Sequence, residues 1–283
     1  FNTAVGHEAG LSVTTGVQNT LMGGLAGDAL TDADSNVAVG YLSLSTNVLG
    51  SRNTAVGESA LFATNPDSAS NTYNTALGYH AGRLISTGVQ NTLIGGLAGD
   101  SITTGTVNVA LGSGALGSLT TASYNTALGY AALTTNVTGA QNTAVGYSAL
   151  TAATGADNTA VGSQALSSVA AGTYNTAVGR SAGAAVTTGI ENVLIGGLAG
   201  DALTDADYNI AVGKAALTSD TLGSRSTAIG HGALSTQNFT TATDSYNTAV
   251  GYKAGVAVTT GVKNTLIGGL AGDALNTSNN NVA

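Results

Sequence analysis

The chain repeats one pattern of apolar and polar positions along its length, and residues 142–150 show it clearly. With Asn142 counted as position 0, position 3 is always a large aliphatic residue and position 4 is Gly in all sixteen complete units. Position 7 is Ala in all units but one, and position 8 is only Gly or Leu. This pattern predicts one short β-strand, a bend at the glycine and a second short segment that faces inward.

The units follow one another at a nearly constant spacing of 17 residues, with one step of 16 and two of 21. Ser226 replaces the opening Asn in one unit. The Asn itself stands at positions 2, 19, 36, 53, 74, 91, 108, 125, 142, 158, 175, 192, 209, 247, 264 and 281. A short fixed period of this kind is typical of a solenoid. We therefore predict an all-β fold, a parallel β-solenoid of about 17-residue coils, and equivalent residues should stack about 4.7–4.9 Å apart.

Four positions of each coil are expected to form structural ladders, represented by Asn142, Val145, Gly146 and Ala149. A column of Asn amides can hydrogen-bond from coil to coil. The glycine allows a corner with positive φ or a close backbone approach. The alanine indicates a space too narrow for a larger side chain.

Successive strand residues point to opposite faces, so positions 1 and 3 share one face and position 2 lies on the other. The aliphatic residue at position 3 suggests the core, which leaves position 2, usually Ala and sometimes Leu, on the outside. An exposed apolar stripe of that length predicts a partner. We expect a homo-oligomer, three parallel copies in the first place and an end-to-end filament as an extension. The expected oligomer face contains Leu21, Leu93, Ala144, Leu194 and Leu266.

A longer repeat of ten coils is superimposed on the short one. Residues 2–6 recur at 175–179, an offset of 173 residues, and both four-residue insertions share this offset. The chain begins and ends within a coil, and solenoids need polar caps at their ends. We therefore expect residues 1–283 to be one repeat array and a segment of a longer one.

Composition limits the classes of partner. The net charge is −8 with only 8% charged residues, which argues against nucleic acid and against an anionic membrane surface. No apolar run approaches the ~20 residues that span a bilayer, so no membrane insertion is expected in this segment. The chain has no Cys.

The run Gly-x-x-Asn-Thr-Ala-Val-Gly-x-x-Ala at residues 139–149 resembles the head repeats of YadA-type trimeric autotransporter adhesins. It also resembles the Asn-Thr-Ala-x-Gly repeats of proteins described as phage tail-fibre-like. The resemblance implies a left-handed parallel β-roll, three chains per fibre and attachment to a host or matrix. It places the chain outside the cell, on a cell surface or a virion appendage. The coil here is longer than in the adhesins, and no neck, stalk or anchor is present in residues 1–283.

Three sets of residues are candidates for contacts. Calcium could bind the carboxylate clusters, since it prefers oxygen ligands, although solvated surface carboxylates are the simpler interpretation: Asp28, Asp32, Asp34, Asp201, Asp205 and Asp207. The two insertions, around 62–73 and 235–246, are expected to protrude as loops. Their candidate contact residues are Phe62, Asn65, Pro66, Asp67, Tyr73, Asn238, Phe239, Asp244 and Tyr246. All ten tyrosines either precede the Asn or stand at position 5, where they could contact glycan or pack at corners.

No arrangement of residues predicts catalysis or a cofactor, and the three histidines lie on separate coils. We therefore predict a structural protein and no enzyme: the shaft of an extracellular fibre or filament, of the adhesin or tail-fibre type. The alternative is a glycan- or matrix-binding adhesin module that uses the insertions and the tyrosine rows. A third interpretation, ice binding by the column Thr3, Thr20 and Thr54, requires these threonines to face water, which a shared face with the aliphatic residues argues against.

Overall fold

A computed structural model describes every residue from Phe1 to Ala283 and contains only β-strands, turns and bends. The prediction of a parallel β-solenoid with coils of about 17 residues is confirmed. The chain divides into two compact units, Phe1–Gln141 and Asn142–Ala283.

In the first unit, eight three-residue strands form a parallel sheet with one strand per coil, and each position pairs with its equivalent, as Thr3 with Thr20. A second parallel pair, β4 with β6, accompanies the first insertion. The strands are β1 (Thr3–Val5), β2 (Thr20–Met22), β3 (Val37–Val39), β4 (Gly50–Ser51), β5 (Thr54–Val56), β6 (Ser70–Asn71), β7 (Thr75–Leu77), β8 (Thr92–Ile94), β9 (Val109–Leu111) and β10 (Thr126–Leu128).

The second unit has the same organisation, with eight strands in its parallel sheet and a short pair, β16 with β18, at the second insertion. Its strands are β11 (Thr143–Val145), β12 (Thr159–Val161), β13 (Thr176–Val178), β14 (Val193–Ile195), β15 (Ile210–Val212), β16 (Gly223–Ser224), β17 (Thr227–Ile229), β18 (Thr243–Asp244), β19 (Thr248–Val250) and β20 (Thr265–Ile267).

Each coil turns back on itself through residues with positive φ. In the coil of Asn19 these are Gly23 (φ 139°), Leu25 (φ 57°) and Gly27 (φ 55°), and Ser35 (φ 58°) precedes the next Asn. Leu30 donates its backbone N–H to the Gly27 carbonyl at 3.2 Å, closing one of these turns. Non-glycine residues rarely adopt positive φ, yet here they do so at the same positions in coil after coil, because stacked coils must share one backbone path.

The predicted oligomer face is wrong. Position 2 of the strand faces the interior of the single chain, and position 2 is fully buried at every one of the five predicted positions: Leu21, Leu93, Ala144, Leu194 and Leu266. The strand alternation was assigned correctly, but the two faces were exchanged, because both faces carry apolar residues and alternation alone does not say which one is inside.

Side-chain volume explains why position 2 is buried. Where position 2 is Ala, position 8 is Leu in most coils, whereas Leu at position 2 always accompanies Gly at position 8. Leu21 illustrates this exchange: a Cβ added to Gly10 or to Gly27 would lie 2.7 or 2.8 Å from its methyl groups. One leucine thus fills the space left by glycines in its own coil and in the preceding one. This exchange between positions 2 and 8 is the sequence signal that could have placed position 2 inside.

The predicted Asn column is confirmed as a hydrogen-bonded ladder. The backbone N–H of Asn91 donates to Asn74 Oδ1 at 3.0 Å, and its Nδ2 donates to the Gly105 carbonyl at 2.9 Å. Asn142 takes part in the same way, since its Oδ1 accepts from the Asn158 N–H at 2.9 Å. Asn142 and Ala149 are fully buried, as their ladder roles require, whereas Val145 is only half-buried because it stands on the outer face.

Candidate functional site

The outer sheet face, formed in each unit by the side chains at strand positions 1 and 3, is the main apolar surface of the protein. Position 1 is Thr, Val or Ile, and position 3 is Val, Leu, Ile or Met. Leu111, Leu128, Ile195 and Ile229 are between 38 and 42% exposed, a large fraction for aliphatic side chains in ordered strands. Neighbouring strands repeat these side chains in register, so exposed and half-buried aliphatic residues together form columns along each sheet.

The threonines of position 1 lie on this same outer face, half-buried between the columns. The expectation that sharing a face with the aliphatic residues would turn Thr20 and Thr54 away from water is therefore wrong. Both residue types face outward because position 2 occupies the narrow interior, either as Ala or as a Leu that fills the space beside two glycines.

Two rims border the outer sheet face. The amino rim consists of the residues that precede each Asn, and the carboxy rim consists of the residues at position 5. All ten tyrosines stand on these rims and are exposed, from 39% at Tyr208 to 62% at Tyr124. The tyrosines thus flank the aliphatic columns on both sides.

Several tyrosine ring faces are already in contact with neighbouring side chains. The guanidinium of Arg225 lies 4.6 Å from the Tyr208 ring centre and 6.0 Å from that of Tyr246. The rings of Tyr79 and His80 stack with their centres 3.8 Å apart. A sugar ring binds an aromatic side chain through its face, so these contacts reduce the area that the rims can offer to a glycan.

The first insertion is only partly a protruding loop. Asn65, Asp67 and Tyr73 are exposed, but Pro66 is buried and Phe62 is half-buried. Pro66 packs against Gly50, where an added Cβ would lie 3.2 Å from the proline ring. The inserted residues therefore extend the core of this coil as well as its surface.

The second insertion closes over a buried polar network. Phe239 is 6% exposed, and its N–H donates to the carboxylate of the fully buried Asp220 at 3.0 Å. Gln237 Nε2 donates to the same carboxylate at 2.6 Å and to Ser226 Oγ at 2.8 Å. Gln237 and Ser226 thereby supply polar contacts in the one coil that lacks the opening Asn. The prediction of Phe239 as a surface contact is wrong; Asn238, Asp244 and Tyr246 are exposed as expected.

The aspartates suggested for calcium are used in contacts between coils. Asp28 accepts from Ser45 Oγ at 2.7 Å, and Asp34 accepts from the Val17 N–H at 2.8 Å. Asp32 accepts from Thr15. The equivalent contacts recur at the other candidates, Asp201, Asp205 and Asp207. No group of three or more His, Cys, Asp or Glu side chains comes together that could hold a metal ion.

Two charged groups have shifted pKa values. Burial raises the pKa of Asp100 above its ordinary value of 3.8, although the positive charge of Arg83 opposes the shift. Asp244 raises the pKa of the exposed Arg225 through a direct ion pair of 3.1 Å.

No family model, curated protein or solved structure matches this chain. None of its elements is a helix long and apolar enough to cross a membrane. The outer sheet face with its two rims is the candidate functional site.

Proposed function

We propose that this chain is the structural shaft of an extracellular fibre or filament, of the adhesin or tail-fibre type, and that copies associate through their outer sheet faces. The observation that carries the proposal is the columns of exposed and half-buried aliphatic side chains on each unit. Monomeric soluble proteins rarely leave contiguous apolar patches of more than a few hundred Å² in water.

The size of the face suits association. Eight coils at 4.7–4.9 Å give a length of roughly 38 Å per unit, and the strand with its two rims is roughly 20 Å wide at about 3.3 Å per residue. The product is about 760 Å², close to the ~800 Å² that each partner contributes to a standard protein interface. Each unit thus offers enough surface for a stable contact with another copy.

The stacked coils suit a shaft. Backbone hydrogen bonds pair each strand with the next, and the Asn ladder adds side-chain hydrogen bonds between coils. We propose a trimer of parallel copies, the number that the resemblance implies, with each chain presenting its outer sheet face to the others. End-to-end continuation of the stack would turn such trimers into a filament.

The direct test replaces one outward-facing valine by lysine. Val109 and Val137 belong to the same unit and are both 41% exposed, but only Val109 lies on the outer sheet face. Val109→Lys should shift the sedimentation coefficient toward that of a monomer while the circular dichroism stays β-type. Val137→Lys is the matched control and should leave the oligomer intact. A wild-type chain that sediments as a folded monomer at every concentration would refute the proposal.

A glycan- or matrix-binding module is the second candidate, supported by the exposed tyrosines on both rims and by the exposed Asn65 and Asp67 of the first insertion. Removing the whole insertion would also remove buried residues such as Pro66, so point variants are the cleaner test. A glycan-array signal that is lost in Asn65→Ala/Asp67→Ala and kept in Val137→Lys would favour this function. If the wild-type oligomer gave no glycan-array signal, the structural shaft would remain as the only proposed function.

A further inference from the structure

The two rims carry complementary groups at the same coil. On either side of β5, Arg52 stands on the amino rim and Glu58 on the carboxy rim, and both are exposed. Neither residue forms an ion pair within the chain, whose ion pairs are His7 with Glu8 and Arg225 with Asp244. Arg52 Nε donates to the neutral Asn71 Oδ1 at 2.9 Å, and the Arg52 guanidinium lies 5.9 Å from the Tyr73 ring centre, so no carboxylate neutralises its charge.

Arg52 and Glu58 do not meet within one chain. Strand β5 and the bends on either side of it separate them by at most roughly 20 Å across the outer sheet face, at about 3.3 Å per residue. Their opposite charges are therefore free for a second molecule, and each copy presents both halves of the same pair.

The second unit shows the same relation with different residues. Tyr174 and Glu191 stand on the amino rim and line an open depression together with Val193. Arg180 stands on the carboxy rim of the coil that contains Tyr174, is exposed and has no ion pair. A guanidinium that entered this depression would meet an aromatic ring and a carboxylate, which are the two groups that arginine favours.

The relative direction of two copies decides which rims meet. If copies are related by rotation about an axis along the stack, the amino rim of one faces the carboxy rim of the next at the same coil. If the copies run antiparallel, the amino rim of one copy faces the amino rim of the other, and the two carboxy rims face each other. Resting on the self-association proposed above, we propose that copies pack parallel and in register, with Arg52 paired to Glu58 of the neighbouring copy. In the same arrangement, Arg180 enters the depression between Tyr174 and Glu191 of its neighbour.

The remaining charged rim residues agree with this arrangement. Asp157, Glu191, Lys214 and Lys263 each share a coil with an uncharged residue on the opposite rim: Ser163, Gly197, Tyr208 and Gly269. Arg225 shares its coil with His231, but the charge of Arg225 is already paired with that of Asp244. Parallel packing in register therefore brings no two unpaired like charges together.

Cysteine cross-linking tests the register, and the chain has no cysteine of its own. The full chain carrying Arg52→Cys/Glu58→Cys, treated with a short bis-maleimide, should give covalent oligomers on a denaturing gel. The control Arg52→Cys/Ser113→Cys places the second cysteine three coils away, roughly 14 Å along the stack, and should give none. Covalent dimers from Arg52→Cys alone would indicate that like rims meet and would overturn the proposal.

A charge exchange tests the contact itself. Arg52→Glu and Glu58→Arg should each weaken association by roughly tenfold at low salt, because like charges then face each other. The double variant Arg52→Glu/Glu58→Arg should restore the dissociation constant, and Asp67→Lys in the insertion should not change it. A double variant that associates no better than the single ones would contradict the pairing.

These experiments test the alignment of coils between neighbouring copies separately from the self-association itself. A wild-type monomer in sedimentation refutes the fibre shaft itself. An intact oligomer that cross-links between positions 52 and 113, or through position 52 alone, refutes only the parallel in-register arrangement. Oligomers that cross-link between 52 and 58 and recover with the exchanged charges support both.

Discussion

At the scale of single residues, the glycine of position 4 is the most constrained. Gly95 has φ 132°, a region that residues with a side chain rarely adopt, and an added Cβ would lie 2.6 Å from the backbone of Gly112 in the next coil. Conformation and space therefore both require glycine, which explains why no unit departs from it.

Gly95→Ala should lower the free energy of unfolding by roughly 2–4 kcal/mol, since the alanine is strained and also pushes two coils apart. The adjacent Gly96 lacks a positive φ and has no atom within 4 Å of an added Cβ. Gly96→Ala is thus the matched control, expected to be nearly neutral in urea denaturation. Equal losses for both variants would show that the close stacking of glycines is not the cause.

A second prediction at this scale concerns Asp100 and pH. Burial raises its folded-state pKa above 3.8, so the folded chain retains a proton that the unfolded chain has already lost. The stability that this carboxyl group contributes is therefore lost as the pH rises from its ordinary pKa of 3.8 through its raised pKa in the folded state.

Asp100→Asn should accordingly raise the free energy of unfolding relative to wild type at pH 7, and the gain should disappear below the ordinary pKa of 3.8. Denaturant curves at several pH values measure this difference. The exposed Asp67, changed to Asn, controls for the loss of one negative charge. A gain that is equally large in acid would mean that charge burial is not responsible.

At the scale of the element, each coil is held by its neighbours more than by itself. Asn175 illustrates this: its Oδ1 accepts from both the N–H and the Nδ2 of Asn192 at 3.0 Å, and its own Nδ2 donates to the Gly189 carbonyl at 2.8 Å. Because Asn175 is fully buried, water cannot replace these partners.

Asn175→Ala should cost roughly 2–4 kcal/mol, since it leaves a buried N–H and a buried carbonyl unpaired. The exposed Asn65, which accepts one long bond of 3.3 Å from the Val48 N–H, provides the control, and Asn65→Ala should change stability by less than about 0.5 kcal/mol. Thermal unfolding followed by circular dichroism measures both variants. A loss below about 1 kcal/mol for Asn175→Ala would mean that the ladder is not a main source of stability.

At the scale of the whole molecule, the exposed columns of the outer sheet face predict that stability depends on protein concentration. Each association step adds up to about 1.4 kcal/mol for a tenfold rise in concentration, enough to raise Tm by a few degrees. Calorimetry at two concentrations should show this rise for wild type and Val137→Lys, and not for Val109→Lys. A Tm that is independent of concentration in the wild type would argue against assembly coupled to folding.

The sequence by itself determined the coil length, the parallel stacking, the Asn ladder and the need for glycine at position 4. These features repeat at fixed spacing, and only stacked equivalent positions satisfy the repeated amides and glycines together. The tertiary structure decided which strand face is buried, because both faces are apolar and the strand alternation does not choose between them. The exchange between positions 2 and 8 is the one feature of the sequence that indicates an interior position 2. The tertiary structure also decided that Phe239 belongs to the core: an insertion shows in the sequence as a break in the period, whereas the space beside Gly223 that receives the ring exists only once the coils are stacked.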